Sequence, residues 1–396
     1  MKILAIETSC DDTAIAILEA KNGKFTALSN IVSSQHIHQN YGGVFPILAK
    51  REHQTNLVPV LTQALQKAKL LKIRNSKSQS IDDRQLLEIK KILEKESGLY
   101  EFTKKFLETY EKPKVDYIAV TCGPGLEPCL WVGVNFAKAL SYFWDISVIP
   151  VNHIEGHILV NFLENNLYYK KESFPKRSIR FPAISLVVSG GHTQLILVKG
   201  IGKYDIIGET RDDAAGECFD KAARILGLGY PGGPIISKIA ADYRGPTPVK
   251  LPRPMMHTKD YDFSFSGLKT AVLYETKGKQ LTKKYISQMC FAVQDAICDV
   301  LIKKTLNAAK DYKAKTIILG GGVSANSELR SQFEFKNKNA KIKIIYPPKE
   351  LSTDNALMIA VAAYFRLKQP HFAKASRVKE KIAWQKLSVH ANLRVG

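Results

Sequence analysis

The strongest indication of the fold is the segment Ala183-Ile-Ser-Leu-Val-Val-Ser-Gly-Gly-His-Thr-Gln-Leu-Ile-Leu-Val198, because residues 2–18 repeat its plan. In both places an apolar strand leads through a short turn into a second apolar strand. Two pairs of hydroxyl residues keep one constant offset between the copies, namely Ser9 with Ser189 and Thr13 with Thr193. Such self-similarity indicates a duplicated unit.

The later parts of the two halves also match. In each half an apolar strand runs into a glycine loop, which precedes a helix and one further strand. The two loops are Gly123-Pro124-Gly125 and Gly320-Gly321-Gly322. Strands that alternate with helices in this way predict mainly parallel sheets flanked by helices. The sequence therefore predicts a duplicated α/β fold with two lobes around a central cleft.

We predict an N-terminal lobe over residues 1–150 and a C-terminal lobe over residues 151–396. Residues 70–114 are rich in Lys and Glu, with leucines and isoleucines at helical spacing, and this predicts an inserted helical hairpin. Such a charged insertion is typical of a solvated elaboration, and contact with RNA or a partner is the alternative. The C-terminal lobe ends in a basic tail, from roughly residue 369, whose cations include Lys374, Arg377, Lys379 and Lys381.

Charge is the least ordinary feature of the composition. The 58 Lys and Arg residues exceed the 37 Asp and Glu residues, which gives a net charge of +21 and a pI near 9.5. This excess favours a polyanionic partner such as nucleic acid, although a solubility surplus gives similar numbers. We predict neither a membrane-spanning run nor a signal peptide, and therefore a cytoplasmic protein. The six cysteines form no Cys-x-x-Cys pair and are expected to be reduced.

The segment His153-Ile-Glu-Gly-His157 is the first candidate for chemistry. Its histidines are four residues apart, so in a helix they lie on one face and can share a metal ion. A zinc protease has similar spacing, but Glu155 is misplaced for the general base of a His-Glu-x-x-His motif. At the matching point of the second half, Asp354 opens an apolar helix. It is either the N-cap of that helix or, across the cleft, a third metal ligand.

The glycine turns are the second candidate. In Val187-Val188-Ser189-Gly190-Gly191 the glycines let backbone N–H groups approach phosphate oxygens. The glycine loops precede helices, whose N-termini add partial positive charge. The helix with Glu217 and Asp220, followed by Tyr230-Pro231-Gly232-Gly233-Pro234, either holds a ribose or is a capped, solvated helix start. Three matched glycine turns favour nucleotide binding, and the sequence has no Walker lysine motif.

These motifs resemble those of the TsaD/OSGEP family, whose members were formerly known as glycoproteases. The resemblance is very specific and covers nearly the whole chain in order, apart from residues 70–114. The matching segments are Ile6-Glu-Thr-Ser-Cys-Asp-Asp-Thr13, Tyr41-Gly-Gly-Val44, Gly123-Pro-Gly-Leu126, His153-Ile-Glu-Gly-His157, Ser189-Gly-Gly-His-Thr193, Asp212-Asp-Ala-Ala-Gly-Glu217, Tyr230-Pro-Gly-Gly-Pro234, Asp262-Phe-Ser-Phe-Ser-Gly-Leu-Lys269, Gly320-Gly-Gly-Val-Ser-Ala-Asn326 and Ser352-Thr-Asp-Asn355.

The resemblance implies the duplicated actin/Hsp70/sugar-kinase fold and a tRNA N6-adenosine threonylcarbamoyltransferase activity. Threonylcarbamoyl-AMP would donate its threonylcarbamoyl group to N6 of adenosine 37, immediately 3′ of the anticodon, in tRNAs that read ANN codons. The products would be N6-threonylcarbamoyladenosine and AMP. The resemblance also implies one divalent metal per subunit, iron or zinc with Fe²⁺ preferred, held by His153, His157 and Asp354. The implied adenylate-binding residues are Val187, Val188, Ser189, Gly190, Gly191, Asp220, Gly233 and Asn326.

Asp11 and Asp12, at the tip of the first turn, are candidates for orienting the amine or accepting its proton. Bacterial members of the family commonly have Glu at the position of Asp12 and mitochondrial members have Asp, so the role of this position is open. The resemblance further implies accessory proteins of the TsaB and TsaE types, as in bacteria, whereas the mitochondrial type acts alone.

Three other functions are compatible with parts of the sequence. A sugar- or acetate-type kinase of the same fold would leave the two histidines and the aspartate unexplained. An Hsp70- or actin-like ATPase without an RNA substrate predicts ATP-driven conformational cycling. A zinc protease predicts inhibition by chelators and indifference to RNA.

Overall fold

The computed structural model of the protein describes residues 1–21, 24–75, 81–163, 179–245, 249–338, 342–369 and 384–396. The four cations named in the basic tail lie outside these residues.

The chain groups into two compact units, each made of separate stretches of sequence. Unit 1 comprises Met1–His36, Val44–Arg177 and Asp354–Arg394, and unit 2 comprises Ile37–Gly43, Ser178–Thr353 and Val395–Gly396. The predicted boundary at residue 150 falls inside unit 1. The reason is that the chain continues to pack on the first sheet after residue 150 and returns to that sheet from residue 354 onward.

The sheet of unit 1 has five strands, which are β1 (Lys2–Glu7), β2 (Asp12–Lys21), β3 (Lys24–Ser34), β4 (Tyr117–Gly123) and β5 (Val148–Asn152). Their order is β3-β2-β1-β4-β5. β1 pairs antiparallel with β2 and parallel with β4, while β2–β3 is antiparallel and β4–β5 is parallel. The carboxyl ends of β1, β4 and β5 therefore meet at one edge.

The sheet of unit 2 repeats this plan strand for strand. It consists of β6 (Ala183–Val188), β7 (Thr193–Gly200), β8 (Lys203–Glu209), β9 (Thr316–Gly320) and β10 (Lys343–Ile345). Read in the matching direction, the order is β8-β7-β6-β9-β10, with the same two antiparallel and two parallel pairings. The structure thus confirms a mixed α/β fold with two sheets, and the sheets have identical topology.

Helices flank both sheets. Those in the described residues are α1 (Pro46–Lys67), α2 (Asp83–Ile92), α3 (Ser97–Thr109), α4 (Glu127–Trp144), α5 (His153–Leu159), α6 (Ala215–Ile225), α7 (Gly232–Asp242), α8 (Ser266–Thr276), α9 (Lys283–Asp311), α10 (Ser327–Lys336) and α11 (Ala356–Lys368). In unit 1, α1, α4 and α11 pack on the sheet, and in unit 2 α9 packs on β6 and β9.

The predicted insertion contains α2 and α3. Ile89 of α2 and Leu99 and Phe106 of α3 are buried in the core of unit 1, whereas most Lys and Glu residues of these helices are exposed. These three residues therefore lie on the face that packs on α1 and α4, whereas Leu87 of α2 is exposed.

α9 corrects the expectation that no segment is apolar enough to span a bilayer. By length and composition this 29-residue helix could cross a membrane, with a mean hydropathy of 1.3 in its most apolar window. Within that window 61% is buried inside the protein, where α9 forms much of the core of unit 2. A core helix passes the same test, so this observation is weak support for a membrane location.

Candidate functional site

The two histidines lie at the start of α5, directly after the last strand of the first sheet. Asn152 ends β5, and its Oδ1 accepts hydrogen bonds from the N–H groups of Ile154 (2.9 Å) and Glu155 (3.1 Å). This N-cap explains why the helix begins at His153. The predicted helical spacing is confirmed, because the buried rings of His153 and His157 have centroids 4.7 Å apart.

Asp354 lies beside the two histidines, in the segment that directly precedes α11. The N-cap of α11 is Asn355, whose Oδ1 accepts from the N–H of Met358 at 3.1 Å, so Asp354 does not cap the helix. Asp354 Oδ1 lies 3.1 Å from Nε2 of His157 and 3.5 Å from Nε2 of His153. The sequence predicted that Asp354 faces the histidines across a cleft, but all three residues belong to unit 1.

The three side chains form a cluster that can hold a metal ion. One ligand atom from each of His153, His157 and Asp354 lies within 4.8 Å of the other two. Both Nε2 atoms point at the same carboxylate oxygen, as ligands of one shared cation would. Nδ1 of His157 is buried and has no hydrogen-bond partner among the described residues. Two imidazoles and a carboxylate fit a divalent transition metal.

Behind the cluster, the buried Glu7 at the end of β1 orients His153. Its Oε2 lies 3.2 Å from Nδ1 of His153 and accepts a hydrogen bond from the Thr121 hydroxyl at 2.6 Å. Its Oε1 accepts from the N–H of Ser9 at 2.6 Å. Because a carboxylate only accepts, it favours the proton on Nδ1 and leaves Nε2 available to a metal.

Burial and charge determine the ionisation of these groups. Burial disfavours the charged form of both histidines. Burial and the nearby charge of His153 together lower the pKa of His157. For His153 the attraction of Asp354 and Glu7 outweighs burial and raises the pKa to about 9. Burial likewise opposes ionisation of Glu7, but its pairing with His153 outweighs burial and lowers its pKa. The carboxylates of Glu7 and Asp354 thus favour positive charge at this cluster, which a bound cation can supply in place of the proton on Nε2 of His153.

The structure brings Asp12 into the field of this cluster. Burial raises the pKa of the Asp12 carboxyl to about 7. The negative charges of Asp354, Asp11 and Glu7 also raise this pKa, whereas a hydrogen bond with Ser34 lowers it. A carboxyl that titrates near neutrality is suited to proton transfer. Asp11 lies in the same turn, where its carbonyl oxygen accepts from the N–H of Gln35 at 3.1 Å.

In unit 2 the turn after β6 offers exposed backbone. Val187 and Val188 are fully buried, so their side chains belong to the core. The turn closes through Ser189, whose N–H donates to the carbonyl of His192 (2.8 Å) and whose hydroxyl accepts from the N–H of His192 (3.1 Å). No described heavy atom lies within 4 Å of the position that a Cβ would take at Gly190 or Gly191. A phosphate can therefore approach this backbone closely.

The N-terminus of α6 is fixed beside the same turn. The N–H of Gly216 donates to the carbonyl of Ser189 at 3.1 Å, and a Cβ at Gly216 would lie only 2.5 Å from that oxygen. Thr193 Oγ1 accepts from the N–H of Ala215 at 2.9 Å. A helix N-terminus next to a glycine turn adds partial positive charge for an anion.

Of the other predicted adenylate-binding residues, Gly233 and Asn326 lie at the starts of α7 and α10, and Asp220 lies in the middle of α6. Asp220 Oδ1 accepts from the N–H of Gly232 at 2.7 Å, directly before Gly233 in α7. Asn326 caps α10, with Oδ1 accepting from the N–H of Leu329 (3.0 Å) and Nδ2 donating to Gln294 (2.8 Å).

The loop after β9 completes this surface. At Gly321, where φ is +82°, a Cβ would lie 2.4 Å from the carbonyl oxygen of Val188, so only glycine fits there. The loop therefore lies beside the carboxyl end of β6, the position where open α/β sheets bind ligands.

The matching loop of unit 1 is filled by the protein itself. A Cβ at Gly123 would lie 2.0 Å from the carbonyl oxygen of His390, and one at Gly125 would lie 2.6 Å from that of Ser9. The N–H of Gly125 donates to Ala391 (3.0 Å) and that of Leu126 donates to Ser9 (2.8 Å). These donors are already bonded, so this loop does not offer them to a phosphate, contrary to the prediction from matched glycine turns.

Sequence reasoning missed Glu7, Thr121 and Asn152. For Glu7 a signal was present, because an acidic residue ends an otherwise apolar strand at the position where the second copy has Val187. Thr121 and Asn152 carried no comparable signal, since their roles depend on the pairing of β1, β4 and β5.

Comparison with known proteins agrees with this architecture. The chain matches the family model TsaD, described as tRNA N6-adenosine threonylcarbamoyltransferase, over residues 26–74 and 101–361. The interval between these stretches lies inside the insertion. The tRNA N6-adenosine threonylcarbamoyltransferase of Persephonella marina is 42% identical, over 93% of this chain and 91% of that protein. The protein of the same name from Fusobacterium nucleatum is 43% identical, over 93% of this chain and 92% of that protein.

Two solved structures are similar in fold alone. The crystal structure of T. kodakarensis HypF has a TM-score of 0.53 at 14% identity, covering 92% of this chain and 48% of that one. Full-length HypF in the phosphate- and nucleotide-bound form has a TM-score of 0.50 at 12% identity, covering 97% of this chain and 47% of that one.

Proposed function

The chain belongs to the tRNA N6-adenosine threonylcarbamoyltransferase (TsaD) family, and from that premise we propose that it transfers threonylcarbamoyl from threonylcarbamoyl-AMP to tRNA. The acceptor is N6 of adenosine 37 in tRNAs that read ANN codons, and the products are N6-threonylcarbamoyladenosine and AMP. The cluster of His153, His157 and Asp354 carries this proposal, because it lies within the matched residues and fits the metal that the resemblance implies.

His153, His157 and Asp354 would hold one divalent ion per subunit. We favour Fe²⁺ over Zn²⁺, because two histidines and one carboxylate with open positions are typical of non-haem iron sites. When bound, such an ion supplies Lewis-acid polarisation of a substrate carbonyl. Glu7 would keep His153 in the tautomer that binds metal, and the buried surroundings of both histidines limit access of water to the ligands.

The adenylate part of the donor would bind to unit 2. Gly190 and Gly191 would place backbone N–H groups against the phosphate, with the N-terminus of α6 beside them. Gly233 and Asn326, at the starts of α7 and α10, and Asp220, in the middle of α6, would bind the nucleoside. This assignment agrees with phosphate departing with AMP, since the same contacts stabilise the leaving group.

Proton transfer from the attacking amine would fall to Asp12. Its raised pKa suits the role of a general base near neutral pH. Replacement of Asp12 by Asn should lower kcat by about 100-fold and leave metal content unchanged, while Asp12→Glu, the commoner bacterial residue, should retain activity. Equal kcat for Asp12→Asn and the native chain would exclude Asp12 as the general base. Asp11→Asn is the comparison variant in the same turn.

The basic surplus of the chain supports tRNA as partner, with a net charge of +21. We also propose TsaB-like and TsaE-like accessory proteins and a cytoplasmic location without membrane contact. For the fold as a whole, the identical topology of the two sheets supports the duplicated actin/Hsp70/sugar-kinase type.

One assay tests the function directly. The purified chain is incubated with threonylcarbamoyl-AMP and an unmodified tRNA that reads ANN codons, and the digested nucleosides are separated and weighed by mass spectrometry. We expect N6-threonylcarbamoyladenosine and an equal amount of AMP. A tRNA with guanosine at the target position is the matched control. Absence of the modified nucleoside, even with TsaB-like and TsaE-like proteins added, contradicts the proposal, and ATP turnover without RNA would favour a kinase or ATPase.

A further inference from the structure

The C-terminal segment, residues 387–394, packs beside the metal-ligand helix. We propose that this segment, acting through Asn152, is a positioning element that holds His153 and His157 in metal-binding geometry. This inference rests on the proposed metal function of the two histidines. It assigns to the end of the chain a role in building the metal site.

Buried side chains and backbone hydrogen bonds anchor the segment to unit 1. Leu387 and Val389 are buried in the core of that unit. The N–H of His390 donates to the carbonyl of Cys122 at 2.9 Å, at the end of β4. The carbonyl of Ala391 accepts from the N–H of Gly125 at 3.0 Å. The segment thus lies along the loop that the duplication matches to the loop after β9 in unit 2.

Asn152 connects the segment to α5. Its Nδ2 donates to the carbonyl oxygens of Leu393 (3.4 Å) and Arg394 (3.1 Å), while its Oδ1 caps the helix at Ile154 and Glu155. The side chain is buried, and both ends of its planar amide are engaged. A displacement of the segment would therefore pull on the cap of the helix that carries both histidines.

α5 depends on such contacts because it is short. Seven residues make fewer than two full turns, and an isolated helix of this length is unstable in water. Its flank is fixed by α11, since a Cβ at Gly156 would lie 3.1 Å from Cδ1 of Ile359. Its start is fixed by Asn152, which directly precedes His153. Metal ligands must be held within about 0.5 Å of their working positions, so a loosened start should weaken metal binding.

The test measures Zn²⁺ affinity of the full-length chain by competition with a chromophoric chelator. Asn152→Asp keeps an N-cap oxygen but loses both N–H donors to the segment. Asn152→Ser also keeps a cap and adds no charge. We expect both variants to bind Zn²⁺ about tenfold more weakly than the native chain, with a melting temperature close to native.

A second substitution reaches the segment from its other side. In Gly123→Ala the new methyl group would collide with the carbonyl oxygen of His390 and displace the segment, while Asn152 stays intact. We expect a similar loss of Zn²⁺ affinity. Both changes break the same connection between the C-terminal segment and α5. The double variant Gly123→Ala/Asn152→Ser should therefore bind Zn²⁺ no more weakly than the single variant that has the lower Zn²⁺ affinity.

Trp384→Ala is the matched control. Trp384 stands before the segment and contacts the ring of Tyr142 edge-on, with centroids 5.8 Å apart, so its loss should lower stability without changing Zn²⁺ affinity. Native affinity in both Asn152 variants would overturn the inference, and so would additive losses in the double variant. Failure of the native chain itself to bind Zn²⁺ and Fe²⁺ would instead overturn the proposed metal function, and the inference with it.

Discussion

The turn after β1 in unit 1 and the turn after β6 in unit 2 occupy the same place in two sheets of identical topology, yet their chemistry is opposite. At one constant offset in sequence, acidic residues at and after the end of β1 correspond to residues without a carboxyl group at and after the end of β6, namely Glu7 to Val187, Asp11 to Gly191 and Asp12 to His192. The first turn adjoins the histidine cluster, whereas the second presents glycine backbone to open space.

One strand plan therefore supports two kinds of site. Carboxylates accumulate negative charge and favour a cation, and glycines without side chains expose N–H groups that favour a phosphate. The neighbouring loops are both packed against backbone, but against different partners. The loop after β4 is filled by Ser9 and the C-terminal segment, while the loop after β9 packs against the end of β6 at Val188.

The largest effect that this comparison predicts is loss of the metal. His153→Ala and Asp354→Ala each remove one of three ligands, so metal content measured by elemental analysis should fall to background. Turnover to N6-threonylcarbamoyladenosine should fall on the order of 100-fold or more, because Lewis-acid stabilisation is worth several kcal/mol.

His257→Ala controls for the loss of a histidine as such, since His257 is an exposed residue of unit 2. It should leave metal content and turnover unchanged. If His153→Ala and Asp354→Ala both retained stoichiometric metal, the histidine cluster beside the acidic turn of unit 1 would not be a cation site. The proposed difference between the two units would then be wrong.

A pair of identical substitutions next compares the filled loop after β4 in unit 1 with the open turn after β6 in unit 2. Gly125→Ala places a methyl group 2.6 Å from the carbonyl oxygen of Ser9, and it should lower the free energy of unfolding by about 1–3 kcal/mol. Gly191→Ala meets no described atom within 4 Å and should leave the melting temperature near native. It should instead raise KM for threonylcarbamoyl-AMP about tenfold, the equivalent of 1.4 kcal/mol. The reverse assignment of the two effects would refute the division into a filled and an open site.

Glu7 tests how the acidic turn acts on the metal. In Glu7→Gln an amide replaces the carboxylate that accepts from His153, so the preference for the metal-binding tautomer weakens. The dissociation constant for Zn²⁺ should rise by about tenfold or more. Thr121→Val removes only the hydroxyl donor to Glu7 and should have a smaller effect in the same assay. Equal affinities in the native chain and Glu7→Gln would exclude an orienting role for Glu7.

The sequence was sufficient for features that follow from periodicity and repetition. The strand–turn–strand repeat predicted both sheets, and the four-residue spacing of His153 and His157 predicted their shared helix face. It was insufficient where side chains meet through strand pairing, as with Thr121 and Glu7 on adjacent strands. The glycines of the Gly123–Gly125 loop were misinterpreted for the same reason, because sequence cannot distinguish a glycine that admits a ligand from one that admits another backbone.

The smallest effect concerns how unit 2 uses its acidic residues. Asp212 caps α8, accepting from the N–H groups of Phe265 (2.8 Å) and Ser266 (3.1 Å) and from two serine hydroxyls. Although burial opposes ionisation, these hydrogen bonds lower the pKa of Asp212. The stabilisation from a lowered pKa is complete above the unfolded pKa of about 3.9 and is lost as pH falls through the folded value.

Asp212→Asn should therefore cost about 0.3–1 kcal/mol at pH 7 in urea unfolding, a small value because the group is mostly exposed. The difference from the native chain should shrink below pH 4 as the carboxylate of the native chain is protonated. Asp242→Asn at the end of α7 is the control of opposite sign, because an anion at a helix C-terminus is unfavourable and its removal should be neutral or slightly stabilising. A cost for Asp212→Asn that stays constant from pH 7 to pH 3 would show that shape rather than charge holds this cap.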